Sequence, residues 1–338
     1  MAPIIVPFAD VAALIASLPA GAVLDAIADG FIAYSRGEVS VPPIQTLGQP
    51  PLASFVGHPD AQACIKSAYV NGGDYFVAKV ASGGGGTNSG VVLIFSQRTF
   101  GPEAILLDEG WLTELRTAAA GALAARHFAP TALDTIAVVG CGVQARWQLK
   151  MLASVVRCRR VLAWARRPEQ AAELAADKEV CAAGWEVSVA PSLEAACRAA
   201  GLVISVTCAR EPLIRAEWLR GRDALVVAVG ADSPGKQELE LALAAEATLA
   251  LADSLSQCVE RGDLQHAVRA GLLSPESVVE IGEWLAREPP PPRPRGVVLF
   301  DSTGVAVQDV KIAELALKEL GRRRSRLRAT RGEPSARL

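Results

Sequence analysis

The sequence predicts a two-domain α/β protein with a doubly wound parallel sheet in its second half. Its 338 residues, 51% hydrophobic and 21% charged, suffice for two buried cores. From Thr135 onward short apolar runs alternate with helical segments, the pattern of a parallel sheet covered on both faces. A glycine-containing turn joins the first of these runs to the first of these helices.

Taken in order, apolar residues from Val11 to Tyr34 recur at helical spacing in two segments parted by the breakers Pro19 and Gly21. Pro42 and Pro43 then open an extended stretch. Between Ala63 and Ser96 the spacing becomes β-like, notably from Tyr75 to Val80 and from Val91 to Phe95, with a glycine-rich break from Ser82 to Gly90. Leu112 to Phe128 is alanine-rich and apolar all round, so it reads as a buried helix stopping near Pro130. Strands are then expected at Thr135 to Val139, Arg160 to Ala165, Trp185 to Ala190, Leu202 to Thr207 and Ala224 to Val229, with helices at Gln144 to Val155 and Pro168 to Ala175. The prolines from Pro289 to Pro292 read as a stiff connector before a final strand, Gly296 to Phe300. From Arg322 the chain is arginine-rich without apolar periodicity, the pattern of a solvated tail.

Composition excludes several classes. A net charge of −2 offers no broad basic surface for nucleic acid. Seven scattered cysteines, none in a C-x-x-C pair, argue against disulfides and structural zinc and for a reducing compartment. His58, His127 and His266 lie far apart without short-range ligand companions, so no metal site is expected. No apolar run approaches the roughly 20 residues of a membrane helix. The first residues lack a basic start and cleavage site, making cytoplasm the expected location.

The turn Gly140-Cys141-Gly142-Val143-Gln144-Ala145 carries the clearest chemistry. It follows an apolar strand and opens a helix, the context a dinucleotide fingerprint requires. Gly140 permits the tight turn, Gly142 lets backbone approach a pyrophosphate, and Ala145 allows close helix packing, while the helix N-terminus offers N–H donors to the anion. Where an acidic residue would hold a ribose 2′-hydroxyl, the second strand ends in Trp164-Ala165-Arg166-Arg167. Arg166 and Arg167 suit a 2′-phosphate, favouring NADP(H), with NAD(H) still possible. Thr207, Val229 and Gly230, at the ends of later strands, are further candidates for cofactor contact.

With Leu112-Thr113-Glu114-Leu115-Arg116-Thr117-Ala118-Ala119-Ala120, this turn resembles the ornithine cyclodeaminase and μ-crystallin family. Val229-Gly230-Ala231-Asp232-Ser233-Pro234-Gly235-Lys236-Gln237-Glu238-Leu239 and Phe300-Asp301-Ser302-Thr303-Gly304 extend the likeness, which runs from about Lys66 to Leu317. The resemblance implies a Rossmann-type sheet inserted into a second α+β domain for substrate binding and homodimerisation. That gives residues 1–128 as the substrate and dimer domain, 129–304 as the NAD(P) domain, 305–321 as a helix returning to the first, and 322–338 as a disordered basic tail. It assigns Arg116 to the substrate carboxylate, where a planar fork gives bidentate contact. Lys79 becomes the substrate-side proton donor, with Lys66 competing for the same role, and Asp232 faces the substrate nitrogen. Thr87 and Thr117 are placed at cofactor phosphate or nicotinamide.

Two departures bear on the reaction. Cyclodeaminases of the family carry an arginine where this chain reads Val41-Pro42-Pro43-Ile44-Gln45, and a neutral amide cannot replace that charge. The arginines after the second strand also speak against the NAD recycled in ornithine deamination. The leading expectation is an NAD(P)H-dependent reductase of a cyclic ketimine or α-imino carboxylate of the pyrroline or piperideine carboxylate type. Cyclodeamination of ornithine or a related diamino acid is the alternative, and a catalytically silent μ-crystallin-like binding protein is the third.

Overall fold

The computed structural model describes residues 2–48, 61–84, 87–289 and 291–330. Two compact units result: Met1–Arg116 with Ala306–Leu338, and Thr117–Val305. The second unit is therefore an insertion in the sequence of the first, and the division falls inside the helix Trp111–Phe128 rather than at its end.

In the first unit, strands follow the order Ile4–Val6, Pro102–Leu106, Thr87–Ser96, Tyr75–Gly84, Gln62–Val70, Val39–Ser40, with Gln45–Leu47 also on Gln62–Val70. All pairs are antiparallel except Ile4–Val6 with Pro102–Leu106. The strand period of two puts Lys66, Ala68, Val77, Lys79, Val92, Ile94, Ala104 and Leu106 on a single buried face. The helices Phe8–Ser17, Ala20–Ser35 and Val307–Thr330 pack together, and the last also lies against Gln62–Val70 and Tyr75–Gly84. Gly30 makes the close approach possible, since a Cβ there would stand 2.9 Å from Lys311 Cγ. Ile65, Phe76, Val80, Leu93 and Phe95, on the opposite face, are only half-buried.

Two expectations are corrected here. The glycine-rich segment does not break the hairpin at Ser82: the strands run on to Gly84 and resume at Thr87, with Gly83 opposite Asn88 and Gly84 opposite Thr87. Once the flanking β-branched residues set the register, glycine backbones continue the ladder because the bonds need no side chain. The basic tail is likewise helical as far as Thr330. Arginine is a good helix former, and Glu319 pairs with both Arg322 and Arg323 one turn on. Residues 331–338 lie outside the described residues, as does His58.

The second unit is built on eight parallel strands in the order Glu186–Val189, Arg160–Trp164, Ile136–Val139, Leu202–Ser205, Ala224–Ala228, Val297–Asp301, Leu249–Ala252, Val279–Glu280. Strand order reverses between Ile136–Val139 and Leu202–Ser205, and both strands are buried throughout, as near-continuous apolar runs require. The Rossmann-type α/β class read from the sequence is the class observed. Leu249–Ala252 and Val279–Glu280 escape the sequence reading, being short and, in the first case, alternating leucine and alanine without β-branched residues. Among the described residues no single helix is long and apolar enough to cross a membrane.

Candidate active site

The first unit concentrates charge on the buried face of its sheet. Lys66 and Lys79 stand directly opposite each other on paired strands and are 8% and 2% exposed. Both candidate lysines therefore belong to one cluster. Arg116, 4% exposed, reaches it from the helix Trp111–Phe128. Asp309, in the first turn of Val307–Thr330, joins them: its Oδ1 accepts from Lys79 Nζ at 2.9 Å and lies 3.2 Å from Arg116 Nε. Gln308 Oε1 accepts from Arg116 Nη1 at 2.8 Å.

Burial pushes the Lys79 amine down to about 8, helped by the Arg116 charge and opposed by Asp309. Burial alone would raise Asp309, but Lys79 and Arg116 outweigh it and hold the carboxyl below its ordinary range. Asp108, whose Oδ2 accepts from Leu112 N at 3.1 Å, is raised by burial. Asp309 Oδ2, Arg116 Nε and Gln308 Nε2 are buried without a hydrogen-bond partner among the described residues. Such atoms are costly unless a ligand or water meets them.

The second unit carries the glycine turn. Gly140 has φ +93°, and a Cβ there would stand 2.8 Å from Val206 O and 2.9 Å from Thr207 Cγ2, so the position admits only glycine on two counts. Gly142, the N-cap of Val143–Leu152, has no side-chain cap, and a Cβ there would meet nothing within 4 Å. Open space thus faces an uncapped helix start, as an approaching anion requires. Val143 is exposed, Gln144 half-buried and Ala145 fully buried. Arg146 braces the turn from below: Nη1 donates to Cys141 O and Gly142 O, each at 3.1 Å, and Nε pairs with Asp177 at 2.8 Å.

Arg166 and Arg167 follow the strand Arg160–Trp164, exposed, and neither side chain forms an ion pair among the described residues. Thr207 N and Gly230 N both donate to Glu238, and Val229 N to Ser205 O. Thr117 O accepts from Gln148. Asp232 is 48% exposed and its Oδ1 is 2.6 Å from Lys236 Nζ. Thr87 opens its strand, but its side chain lies outside the described residues. The structure thus gathers Lys66, Lys79 and Arg116 in the first unit, and the glycine turn, both arginines, Thr117, Thr207, Val229, Gly230 and Asp232 belong to the second.

Sequence reasoning missed Gln308, Asp309 and Glu238. The first two come just after Phe300-Asp301-Ser302-Thr303-Gly304, and Glu238 sits inside a quoted motif; a polar residue in an otherwise apolar helix start was the available signal. A cleft of 450 Å³ lined by Asp223, Thr248 and Gly296 lies at the N-terminal ends of the parallel strands. It is at the wrong edge for a ligand of a doubly wound sheet, whose crevice lies beyond the carboxyl ends.

The family model described as "Ornithine cyclodeaminase/mu-crystallin family" matches residues 65–320. Iminosuccinate reductase of Paracoccus denitrificans is 34% identical over 61% of this chain and 63% of its own. Alanine dehydrogenase of Archaeoglobus fulgidus is 30% identical over 86% of this chain and 88% of its own, and ketimine reductase mu-crystallin of Rattus norvegicus 30% over 66% and 67%. A crystal structure of the Paracoccus denitrificans iminosuccinate reductase in complex with NAD+ superposes with a TM-score of 0.82, at 27% identity, covering 95% of this chain and 97% of that one. With a matching model across most of its length and a relative 30% identical over 86% of it, the chain belongs to the ornithine cyclodeaminase/mu-crystallin family.

Proposed function

We propose that the protein is an NAD(P)H-dependent reductase of a cyclic ketimine or α-imino carboxylate. The observation that carries this reading is the buried cluster of Lys79, Arg116, Gln308 and Asp309, with hydrogen-bonding atoms left over. Gln308 Nε2 has no hydrogen-bond partner among the described residues, and Arg116 Nε, though ion-paired with Asp309 at 3.2 Å, makes no hydrogen bond; beside the Arg116 fork these donors suit a substrate carboxylate. Lys79, protonated at neutral pH and held by Asp309, is the donor of the proton that the imine nitrogen takes. Asp232 is assigned the positive charge of the iminium.

The open glycine turn and uncapped helix fit a dinucleotide. A bound nicotinamide supplies the hydride that reduces the imine carbon. Thr87, Thr117, Thr207, Val229 and Gly230 remain the assigned cofactor contacts, and the unpaired Arg166 and Arg167 favour NADPH. The seven cysteines are all free, in keeping with a reducing cytoplasm. The half-buried apolar face of the first sheet, with Phe76 and Phe95 stacked at 4.8 Å, suits a second copy of the chain, and light scattering should return twice the chain mass.

The deciding assay follows nicotinamide absorbance with purified protein. NADPH consumed with a pyrroline or piperideine carboxylate supports the reductase. Ammonia released from ornithine with NAD, and no net change in cofactor, would establish the cyclodeaminase instead. A protein silent in both that still binds these ligands would be the binding form.

A further inference from the structure

One fully buried carboxylate of the second unit ties together two strand ends beside the reversal of strand order. Glu238 Oε1 accepts from Ser205 Oγ and from Thr207 N, both at 2.6 Å, and Oε2 accepts from Gly230 N at 2.8 Å. Ser205 and Thr207 belong to the exit of Leu202–Ser205, and Gly230 to the exit of Ala224–Ala228. The fit is tight, since a Cβ on Gly230 would stand 2.5 Å from Glu238 Cδ and closer still to Thr207 O. Glu238 is itself fixed from behind: its own N–H and that of Leu239 donate to Asp263 Oδ1 at 2.7 and 2.9 Å.

Three donors converge on this side chain, so an ionised carboxylate fits where an amide would turn an NH2 toward a donor. Thr207 also lies against the glycine turn, through the contact its Cγ2 would make with a Cβ at Gly140. In a doubly wound sheet the half containing the first strand takes the adenosine side of a dinucleotide. The strands across the reversal, here Leu202–Ser205 and Ala224–Ala228, take the other side.

We infer that Glu238 is a positioning residue for the nicotinamide half of the cofactor: it clamps the two strand exits whose Thr207 and Gly230 backbone that half would rest on. The inference rests on the dinucleotide reading above. It implies that adenosine-side binding, which depends on the glycine turn and Arg166, is independent of Glu238.

Calorimetry of Glu238→Gln with two probes tests this, NADPH and 2′-phospho-ADP-ribose, the latter lacking nicotinamide. The variant should bind the fragment within about twofold of wild type yet lose about tenfold in NADPH affinity, with kcat falling and the KM for imine little changed, as displacement of a reacting group predicts. Ser205→Ala, which removes one bond to the same oxygen and spares the fold if Glu238→Gln does not, should give the same pattern at about threefold. Equal losses for both probes, or no loss for either, would overturn the inference. A wild-type protein that bound neither these probes nor their counterparts without the 2′-phosphate, NADH and ADP-ribose, would overturn the dinucleotide reading itself, and the inference with it.

Discussion

At the scale of single residues, Lys79 makes the sharpest claim. With its amine brought down to about 8, the protonated form that can give up a proton is present below that value and disappears above it. The pH profile of imine reduction should therefore be flat near neutrality and fall as pH rises through about 8. Lys79→Met should lower kcat by about 10²–10⁴-fold, the range of general acid catalysis, and abolish that limb; a surviving limb in the variant would assign the proton elsewhere. Arg166→Asp should shift preference from NADPH toward NADH in steady-state kinetics by at least about tenfold, and an unchanged ratio would mean the exposed arginines do not read the 2′-phosphate. Arg116 came to notice through its motif and Lys79, with Lys66, through the family resemblance, and all three lie in one buried cluster. Asp309 was not legible, because a carboxylate in a first helical turn is common and only tertiary packing brings it to Lys79.

Among elements, the strand, glycine turn and helix start from Ile136 to Gln144 were read to within a residue, because glycine geometry and apolar runs act locally, while the helix ends at Leu152, three residues before the expected Val155. Gly140→Ala tests that locality. Its left-handed backbone and the 2.8 Å approach to Val206 O leave no room for a methyl group, so the variant should lose about 1–3 kcal/mol, seen as a lower Tm, together with dinucleotide affinity. Wild-type stability would mean that the turn relaxes freely. The hairpin through Gly84 and the helix through Thr330 were misread for the opposite reason. Their continuity comes from a ladder begun elsewhere and from charge pairs one turn apart, neither of which an apolar pattern reveals.

Across the whole molecule, the second unit buries linked carboxylates at Glu238, Asp263 and Asp301. Burial, then the Glu238 charge, lifts Asp263 to about 7; burial raises Asp301 too, and it also raises Glu238, there opposed by the donors from Ser205, Thr207 and Gly230 that favour its charged form. An acid whose pKa is raised in the folded state holds a proton that the unfolded chain has already released. Stability should then decline as pH climbs from about 4, the unfolded carboxyl value, to about 7, beyond which Asp263 contributes no further slope. Thermal melts between pH 5 and 8 check this, and Asp263→Asn, whose amide oxygen can still accept from Glu238 N and Leu239 N, should flatten the decline. An identical slope in the variant would place the titration elsewhere.

The chain leaves the first unit at Arg116 and re-enters it at Ala306, so during synthesis the intervening unit is complete while its host still lacks a helix. Until Val307–Thr330 arrives, Lys79 and Arg116 have no Asp309 to neutralise them, and a face carrying unpaired cations has little incentive to close. A polypeptide cut short before that helix would leave Lys79 and Arg116 repelling each other without their shared carboxylate, and would lack the cluster on which the proposed reaction rests. The ordering of the chain thus makes assembly of that cluster wait for the helix that follows the inserted unit.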